Sequence, residues 1–201
     1  MTQTNRALLL EQLARYAYQC STEKVFPLSS GELSNEYLDC KRGLSRAESM
    51  AALGPLLCSM IDPTVVAVGG LTMGADPLAM SASQASAQTG RALRWFSVRK
   101  DAKEYGLKKL IEGSVQQGER IAVFDDVVTT GGSTIKAIKA CRDAGLVVAQ
   151  VIVLVDREQL DGMGKIRNAA GVAVEAVFTK SEIAAEWRRL HQTQGGLLAT
   201  A

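Results

Sequence analysis

Histidine is nearly absent from the sequence: the only one, His191, lies near the carboxyl end of the chain. A metal site built on several histidines, or a Ser-His-Asp triad in the body of the protein, is therefore unexpected. The cysteines form neither a CxxC pair nor a zinc-ligand spacing. We expect these four residues to be reduced thiols in or near the core: Cys20, Cys40, Cys58 and Cys141.

Neither sign of charge dominates, and long apolar runs are missing. The 23 Lys and Arg against 21 Asp and Glu leave a net charge of +2, too balanced to indicate nucleic-acid or membrane binding through the electrostatic field alone. No apolar run approaches the length of about 18 residues expected of a membrane-spanning helix. The amino-terminal stretch MTQTNRALLLEQLARY lacks the basic and apolar regions of a secretion signal. We therefore expect a cytoplasmic protein that binds neither nucleic acid nor membrane.

A chain of 201 residues with 47% apolar residues is long enough for one domain with a substantial core. Strands and helices are predicted to alternate, and the strands are near-continuous Val/Ile runs, which favours a parallel sheet covered on both faces. The predicted strands are 64–70, 92–98, 121–125, 147–156 and 171–179. The predicted helices are 5–20, 45–61, 74–88, 133–144 and 180–191, with Ser45 and Glu48 as a capping box. Between the first two helices, short β-prone pieces suggest a small hairpin or flap.

The stretch IAVFDDVVTTGGST, residues 121–134, carries the clearest chemical signal. Its small and hydroxyl residues, 129–134, precede a predicted helix, so backbone N–H groups and the helix dipole would favour a phosphate there. Asp125 and Asp126 would repel that phosphate unless they hold something neutral or positive, such as sugar hydroxyls or hydrated Mg²⁺. The combination indicates a ribose-5-phosphate site. A flexible turn and a capping pair are the plainer interpretations.

Two further segments follow predicted strands. The stretch VRKDAKEYGLKKLIEG, residues 98–113, brings several cations to the sheet edge where ligands bind in such folds. It is predicted to be a lid over a polyanion, although a solvated charged loop is the more usual fate of such a run. The stretch VGGLTMGADP, residues 68–77, offers backbone donors, or forms a tight strand-to-helix turn.

Residues 123–134, VFDDVVTTGGST, resemble the 5-phosphoribosyl-1-diphosphate (PRPP) signature of type I phosphoribosyltransferases. Three more stretches, FPLSSGELSNEYLD, VGGLTMGADP and VRKDAKEYGLKKLIEG, are similar in order and spacing to orotate phosphoribosyltransferases. The resemblance spans about residues 6–190. It implies a three-layer parallel sheet with an amino-terminal hood or flap in one domain: helix and flap in 1–45 and core sheet in 62–180. Residues 192–201 have no periodicity and are expected to form a disordered tail.

The resemblance also implies a reaction, orotate + PRPP → orotidine 5′-monophosphate + diphosphate, with Mg²⁺, in pyrimidine biosynthesis. It implies a homodimer in which the RKDAK loop of one subunit reaches the site of the other. The metal would be held through PRPP and waters near Asp125 and Asp126.

The site residues implied by the resemblance fall into three sets. The catalytic set is Arg99, Lys103, Asp125 and Asp126. The PRPP-binding set is Thr72, Met73, Arg99, Lys100, Lys103, Tyr105, Asp125, Asp126, Val127, Val128, Thr129, Thr130, Gly131, Gly132, Ser133 and Thr134. The orotate-binding set is Tyr37, Leu38, Thr129 and Arg157, whose guanidinium suits the orotate carboxylate.

Three positions depart from the best-known pattern of the family. Tyr105 replaces a histidine in the lid, and Ser29 and Met73 stand where many or some members have lysine. A phenol can donate a hydrogen bond but does not become cationic near neutral pH. We therefore expect a slower or weaker PRPP step, not loss of activity. Two alternatives stay open at this point: a phosphoribosyltransferase for another base, and a non-catalytic PRPP-binding regulator on the same fold.

Overall fold

A computed structural model describes residues 2–27, 33–101 and 110–198. The chain starts with helix α1 (Thr2–Tyr16), which buries Leu9 and Leu13 one turn apart. We predicted this helix to reach residue 20, but the chain leaves the helix at Tyr16 because β1 (Tyr18–Cys20) pairs with a later strand. Cys20 is exposed, so its prediction as a core or near-core thiol is wrong.

The flap consists of two small antiparallel ribbons. Strand β2 (Phe26–Pro27) pairs with β3 (Leu33–Ser34), and β1 pairs with β4 (Glu36–Leu38). The ring of Phe26 stacks on that of Tyr37, with centroids 5.7 Å apart, and so joins the two ribbons. Ser29 lies outside the described residues.

Two helices follow the flap where one was predicted. Helix α2 (Cys40–Leu44) ends at Ser45, whose backbone N–H and hydroxyl bond back to the carbonyls of Lys41 and Arg42. Helix α3 (Ala47–Met60) has Arg46 at its N-cap, with no side-chain capping bond. The predicted capping box is therefore wrong, because Ser45 closes one helix instead of opening the next.

The central sheet has six strands in the order β10-β9-β8-β5-β6-β7. Their bounds are β5 (Ala67–Leu71), β6 (Arg94–Val98), β7 (Ile111–Gly113), β8 (Arg120–Val128), β9 (Val147–Asp156) and β10 (Ala173–Thr179). Five strands are parallel, and the unpredicted β7 runs antiparallel to β6. The predicted α/β class with a mostly parallel sheet is confirmed.

Helices cover both faces of the sheet. The remaining helices are α4 (Asp76–Ser86), α5 (Gly132–Asp143), α6 (Gly162–Ala170) and α7 (Lys180–Leu198), with a 3₁₀ turn at Ala87–Thr89. Along β8, Ala122 and Phe124 belong to the core under α1, α3, α4 and α7, whereas Ile121 and Val123 belong to the core under α5 and α6. This alternation is the two-residue period of a strand buried on both sides.

At its carboxyl end, α7 includes residues 192–198, where we predicted a disordered tail over 192–201. No helix within the described residues is long and apolar enough to cross a membrane. The strand order reverses between β5 and β8, since the chain adds β6 and β7 on one side of this pair and β9 and β10 on the other. In parallel sheets, ligands bind in the crevice at such a reversal, beyond the carboxyl ends of the strands.

Candidate active site

The two carboxylates at the end of β8 point to opposite sides of the strand. Asp125 faces α5, where its Oδ2 accepts a 2.6 Å hydrogen bond from the hydroxyl of Thr134. Asp126 faces the side of α2, where its Oδ2 lies 3.5 Å from Nζ of Lys41. Adjacent residues on a strand point to opposite faces, so the two acids have separate partners although they are neighbours in the sequence.

Asp125 is a buried carboxylate with both oxygens engaged. Its second oxygen, Oδ1, accepts the backbone N–H of Asp126 at 3.0 Å. Burial raises the pKa of Asp125 to about 6; the hydrogen bond from Thr134 opposes this rise, and the charge of Asp126 adds to it. The side chain thus fixes the first turn of α5 and the backbone at the end of β8.

Asp126 lies at the reversal point itself. A Cβ atom at Gly74, in the turn after β5, would lie 2.3 Å from its Oδ1. Only a residue without a side chain permits this close approach. Lys41 lies between Asp126 and Asp39, with Nζ 3.5 Å from a carboxylate oxygen of each. Burial acts to lower the pKa of Lys41, but the two carboxylates outweigh it and raise that pKa.

The loop 129–134 turns sharply into α5 at Gly131. Gly131 has φ +79°, and a Cβ there would lie 2.8 Å from the carbonyl oxygen of Gly162. Thr130, Gly132 and Ser133 are exposed at the start of α5. The predicted arrangement of small residues at a helix amino terminus, which suits a phosphate, is present. Thr134, also predicted to bind PRPP, is buried with its hydroxyl directed to Asp125.

Predicted PRPP residues also include two valines at the end of β8. Val128 is 1% exposed in the core, and its carbonyl accepts the backbone N–H of Arg157 at 3.0 Å. Val127 packs against the other core. Their predicted contacts with PRPP stay predictions.

Asp76 holds together the ends of β5 and β6. Its Oδ2 accepts the hydroxyl of Thr72 at 2.6 Å, and its Oδ1 accepts that of Ser97 at 2.8 Å. The backbone N–H of Thr72 also donates to the carbonyl of Val98. The peptide bond between Thr72 and Met73 is cis, and the side chain of Met73 is largely exposed.

A groove of about 500 Å³ opens beside this turn, lined by Thr72, Ser97, Arg99, Lys100, Asp101 and Glu112. The predicted lid begins and ends here: the N–H of Arg99 donates to the carbonyl of Leu110 at 2.8 Å. The ammonium of Lys136 on α5 donates to the carbonyl of Lys100, which places Lys100 against the first turns of α5. Lys103 and Tyr105 lie outside the described residues.

The structure brings Arg157 together with both predicted flap residues, Tyr37 and Leu38, in one cleft. Arg157 follows β9, and its Nε is buried without a hydrogen-bond partner among the residues that the structure describes. A buried guanidinium N–H that lacks a partner is costly unless a ligand supplies an acceptor. The cleft therefore offers a charged donor to an anionic group.

Several residues at the site were not predicted from the sequence. They are Lys41, Asp76, Lys136, Glu36 and Lys180. Each acts through a contact with another segment, and Glu36 and Lys180 are 144 positions apart. Local sequence patterns carry no signal for such contacts; only the proximity of Lys41 to the flap motif pointed towards the site.

Comparisons with known proteins agree closely. No family model matches the chain. The orotate phosphoribosyltransferase of Nostoc sp. is 39% identical over 188 residues, which cover 93% of this chain and 89% of that protein. That of Aquifex aeolicus is 38% identical over 184 residues, covering 91% of this chain and all of that protein.

Solved structures give the same result. The orotate phosphoribosyltransferase of Mycobacterium tuberculosis superposes with a TM-score of 0.78 at 34% identity, covering 89% of this chain and 98% of that one. A structure of that protein in complex with PRPP gives 0.71 at 31% identity, over 90% and 92% of the two chains. An adenine phosphoribosyltransferase of Leishmania tarentolae, at 15% identity and a TM-score of 0.60 over 88% of each chain, shares the fold.

Proposed function

The chain belongs to the orotate phosphoribosyltransferase family, and from this premise we propose that it transfers the 5-phosphoribosyl group of PRPP to orotate. The products are orotidine 5′-monophosphate and diphosphate, in the formation of pyrimidine nucleotides. The proposal rests mainly on the Nε of Arg157, which is buried and has no hydrogen-bond partner among the described residues. It lies in a cleft with Tyr37 and Leu38. Orotate differs from the neutral bases in its carboxylate, and a guanidinium is the side chain best shaped to bind one.

PRPP would occupy the crevice between β5 and β8. The backbone donors of residues 129–134 face its 5′-phosphate, and Thr129 also borders the orotate. Asp126 accepts the ribose hydroxyls, since it lies at the crevice between Lys41 and Gly74. Asp125 is predicted to share this role; its two oxygens also accept hydrogen bonds from the hydroxyl of Thr134 and the backbone N–H of Asp126, and so fix both groups.

The diphosphate would leave into the groove beside Thr72. Arg99 and Lys100 line this groove, and Lys103 is expected to reach it from the lid. Cations placed where negative charge develops stabilise the transition state. At the ribose the developing charge is positive, as expected for an oxocarbenium-like transition state, and Asp126 is the carboxylate placed beside it.

The residues present fit a magnesium ion that reaches the protein through PRPP and water. The described residues contain no group of three or more acidic, histidine or cysteine side chains that would hold a metal by themselves. Asp126, with Asp125 behind it, supplies acceptors for metal-bound water. When bound, Mg²⁺ neutralises diphosphate charge.

We also propose that the protein is a homodimer in which the RKDAK loop, residues 99–103, of one subunit reaches the site of the other, as the family resemblance implies. The exposed base of this segment at Lys100 supports the proposal. The division of the chain into flap, core and tail and the cytoplasmic location stay predictions.

An assay with a panel of bases tests the proposed function. The purified protein is incubated with PRPP and Mg²⁺ together with orotate, uracil, adenine or hypoxanthine, and nucleotide and diphosphate are measured. We expect turnover with orotate that stops when the metal is chelated. Turnover of a purine but not orotate would assign a different acceptor, and PRPP binding without turnover of any base would indicate a regulator.

A further inference from the structure

The side chains of Tyr18, Glu36 and Lys180 form a compact polar cluster in the cleft that contains Arg157. The ammonium of Lys180 donates to Oε2 of Glu36 at 2.6 Å. The hydroxyl of Tyr18 donates to the other oxygen, Oε1, at 2.5 Å. The side chains of Lys180 and Glu36 are only 21% and 26% exposed, so this ion pair is better shielded from water than an ordinary surface pair.

The cluster connects the flap to the body of the protein. Glu36 opens β4, directly before Tyr37, and β4 pairs only with β1 in a two-stranded ribbon of the described chain. Lys180 opens α7, directly after the edge strand β10. A two-stranded ribbon is not stable alone, so its position over the cleft depends on contacts such as this one.

The protonation states keep the cluster intact near neutral pH. Hydrogen bonds from Lys180 and Tyr18 hold the pKa of Glu36 below its usual value. Burial, with the hydrogen bond to Glu36, raises the pKa of Tyr18, so its hydroxyl stays protonated and donates. Its ring also packs edge-on against Trp187 of α7, with centroids 5.8 Å apart.

All three residues line the same cleft as Arg157. The charge of Lys180 is satisfied by Glu36, whereas the buried Nε of Arg157 has no partner among the described residues. Lys180 therefore connects the flap to the body of the protein, whereas Arg157 is available to bind an anion.

We propose that Glu36 and Lys180, assisted by Tyr18, form a clamp that positions Tyr37 and Leu38 against the acidic base. The inference rests on the proposed function and deepens it, because it assigns positioning residues for orotate. Removing one partner leaves the other charge partly buried and unpaired, which costs more than the pair contributes. The flap would then tilt away, and binding of the base would weaken while the PRPP crevice stayed unchanged.

Steady-state kinetics of matched variants test the clamp. Lys180→Met and Glu36→Gln are each expected to raise KM for orotate about tenfold, the loss typical of a hydrogen bond to a charged group. KM for PRPP should stay within about twofold, and Tyr18→Phe should give a smaller effect on orotate alone. Lys139→Met is the control, because Lys139 makes a similar pair with Asp143 on the exposed face of α5; it should change neither constant.

A double-mutant cycle separates a clamp from two independent effects. Glu36→Gln combined with Lys180→Met should be no worse than the more damaging single variant, and Lys180→Arg should recover most of the orotate affinity. The clamp would be overturned if both single variants, folded by circular dichroism, kept KM for orotate within about twofold. Equal rises in both KM values, or strictly additive effects, would overturn it as well. Failure of the proposed function is distinguishable, because the wild-type protein would then not turn over orotate.

Discussion

Asp126 contacts two separate segments of the candidate site, the turn after β5 and helix α2. Its carboxylate is buried beside Gly74 of one strand end and within 3.5 Å of Lys41, which follows the flap. Buried charges are normally paired, and Lys41 is the cation paired with it among the described residues. Two adjacent acids can lie beside the proposed phosphate site in part because Lys41 balances the charge of Asp126.

Lys41→Met is therefore expected to weaken PRPP. Without the cation, Asp126 repels the phosphates more strongly and is less well oriented for the ribose hydroxyls. We expect KM for PRPP to rise about fivefold to tenfold, within the range for a partly exposed charge pair, with KM for orotate little changed. Kinetics with each substrate varied in turn measure this, and Lys41→Arg should retain near-normal values. An unchanged KM for PRPP in Lys41→Met would show that Asp126 needs no partner.

A second prediction concerns the effect of Asp125 on the stability of the folded protein. Its folded pKa of about 6 lies above the unfolded value of 3.8, so the folded protein binds its proton more tightly. The contribution of Asp125 to stability is then largest at low pH and falls as the pH rises from about 4 to about 6. Two pKa units correspond to about 3 kcal/mol. The free energies of unfolding of the metal-free wild-type protein and of Asp125→Asn are measured in urea across this pH range. The difference between the two should change by about this amount. A difference that does not vary with pH would contradict the buried, proton-retaining carboxyl.

At the scale of elements, the sequence predicted those with long or strongly periodic patterns. Strand β9 (Val147–Asp156) and helix α5 (Gly132–Asp143) match their predictions within one residue, because a ten-residue strand rich in valine and a glycine-bounded helix leave few alternatives. Strand β8 runs three residues beyond the predicted end at Asp125, through Asp126 to Val128. The prediction ended the strand between the two acids, whose partners, Thr134 on α5 and Lys41 on α2, are distant in the sequence.

Short elements defined by tertiary contacts escaped prediction. Strand β7 has only three residues and is defined by its antiparallel hydrogen bonds to β6. Helix α2 has five residues and is capped by Asp39, while α6 begins after a turn in which Leu160 and Asp161 have positive φ. None of these has enough residues for its period to be recognised. For the same reason the loops of the site could be predicted and most of their partners could not.

At the scale of the whole molecule, the fold brings three strand ends to one edge and adds a flap above them. The ends of β5 and β8 flank the crevice at the strand reversal, where we propose that PRPP binds, and β9 adds Arg157, whose backbone N–H donates to the carbonyl of Val128. The flap then places Tyr37 over the cleft that holds Arg157. The proposed phosphate site and the proposed base site are therefore built by different segments, and we expect substitutions to affect them separately.

The most direct test of the account is the effect of Arg157→Met on the two substrates. If its buried guanidinium binds the orotate carboxylate, kcat/KM for orotate should fall about 100-fold, as for the loss of one partner of a buried charge pair. The Kd for PRPP, measured by calorimetry, should stay within about threefold, and Arg157→Lys should lie between the two. Undiminished kcat/KM for orotate in Arg157→Met, or an equal loss of PRPP binding, would contradict the central claim that Arg157 is the residue that selects orotate.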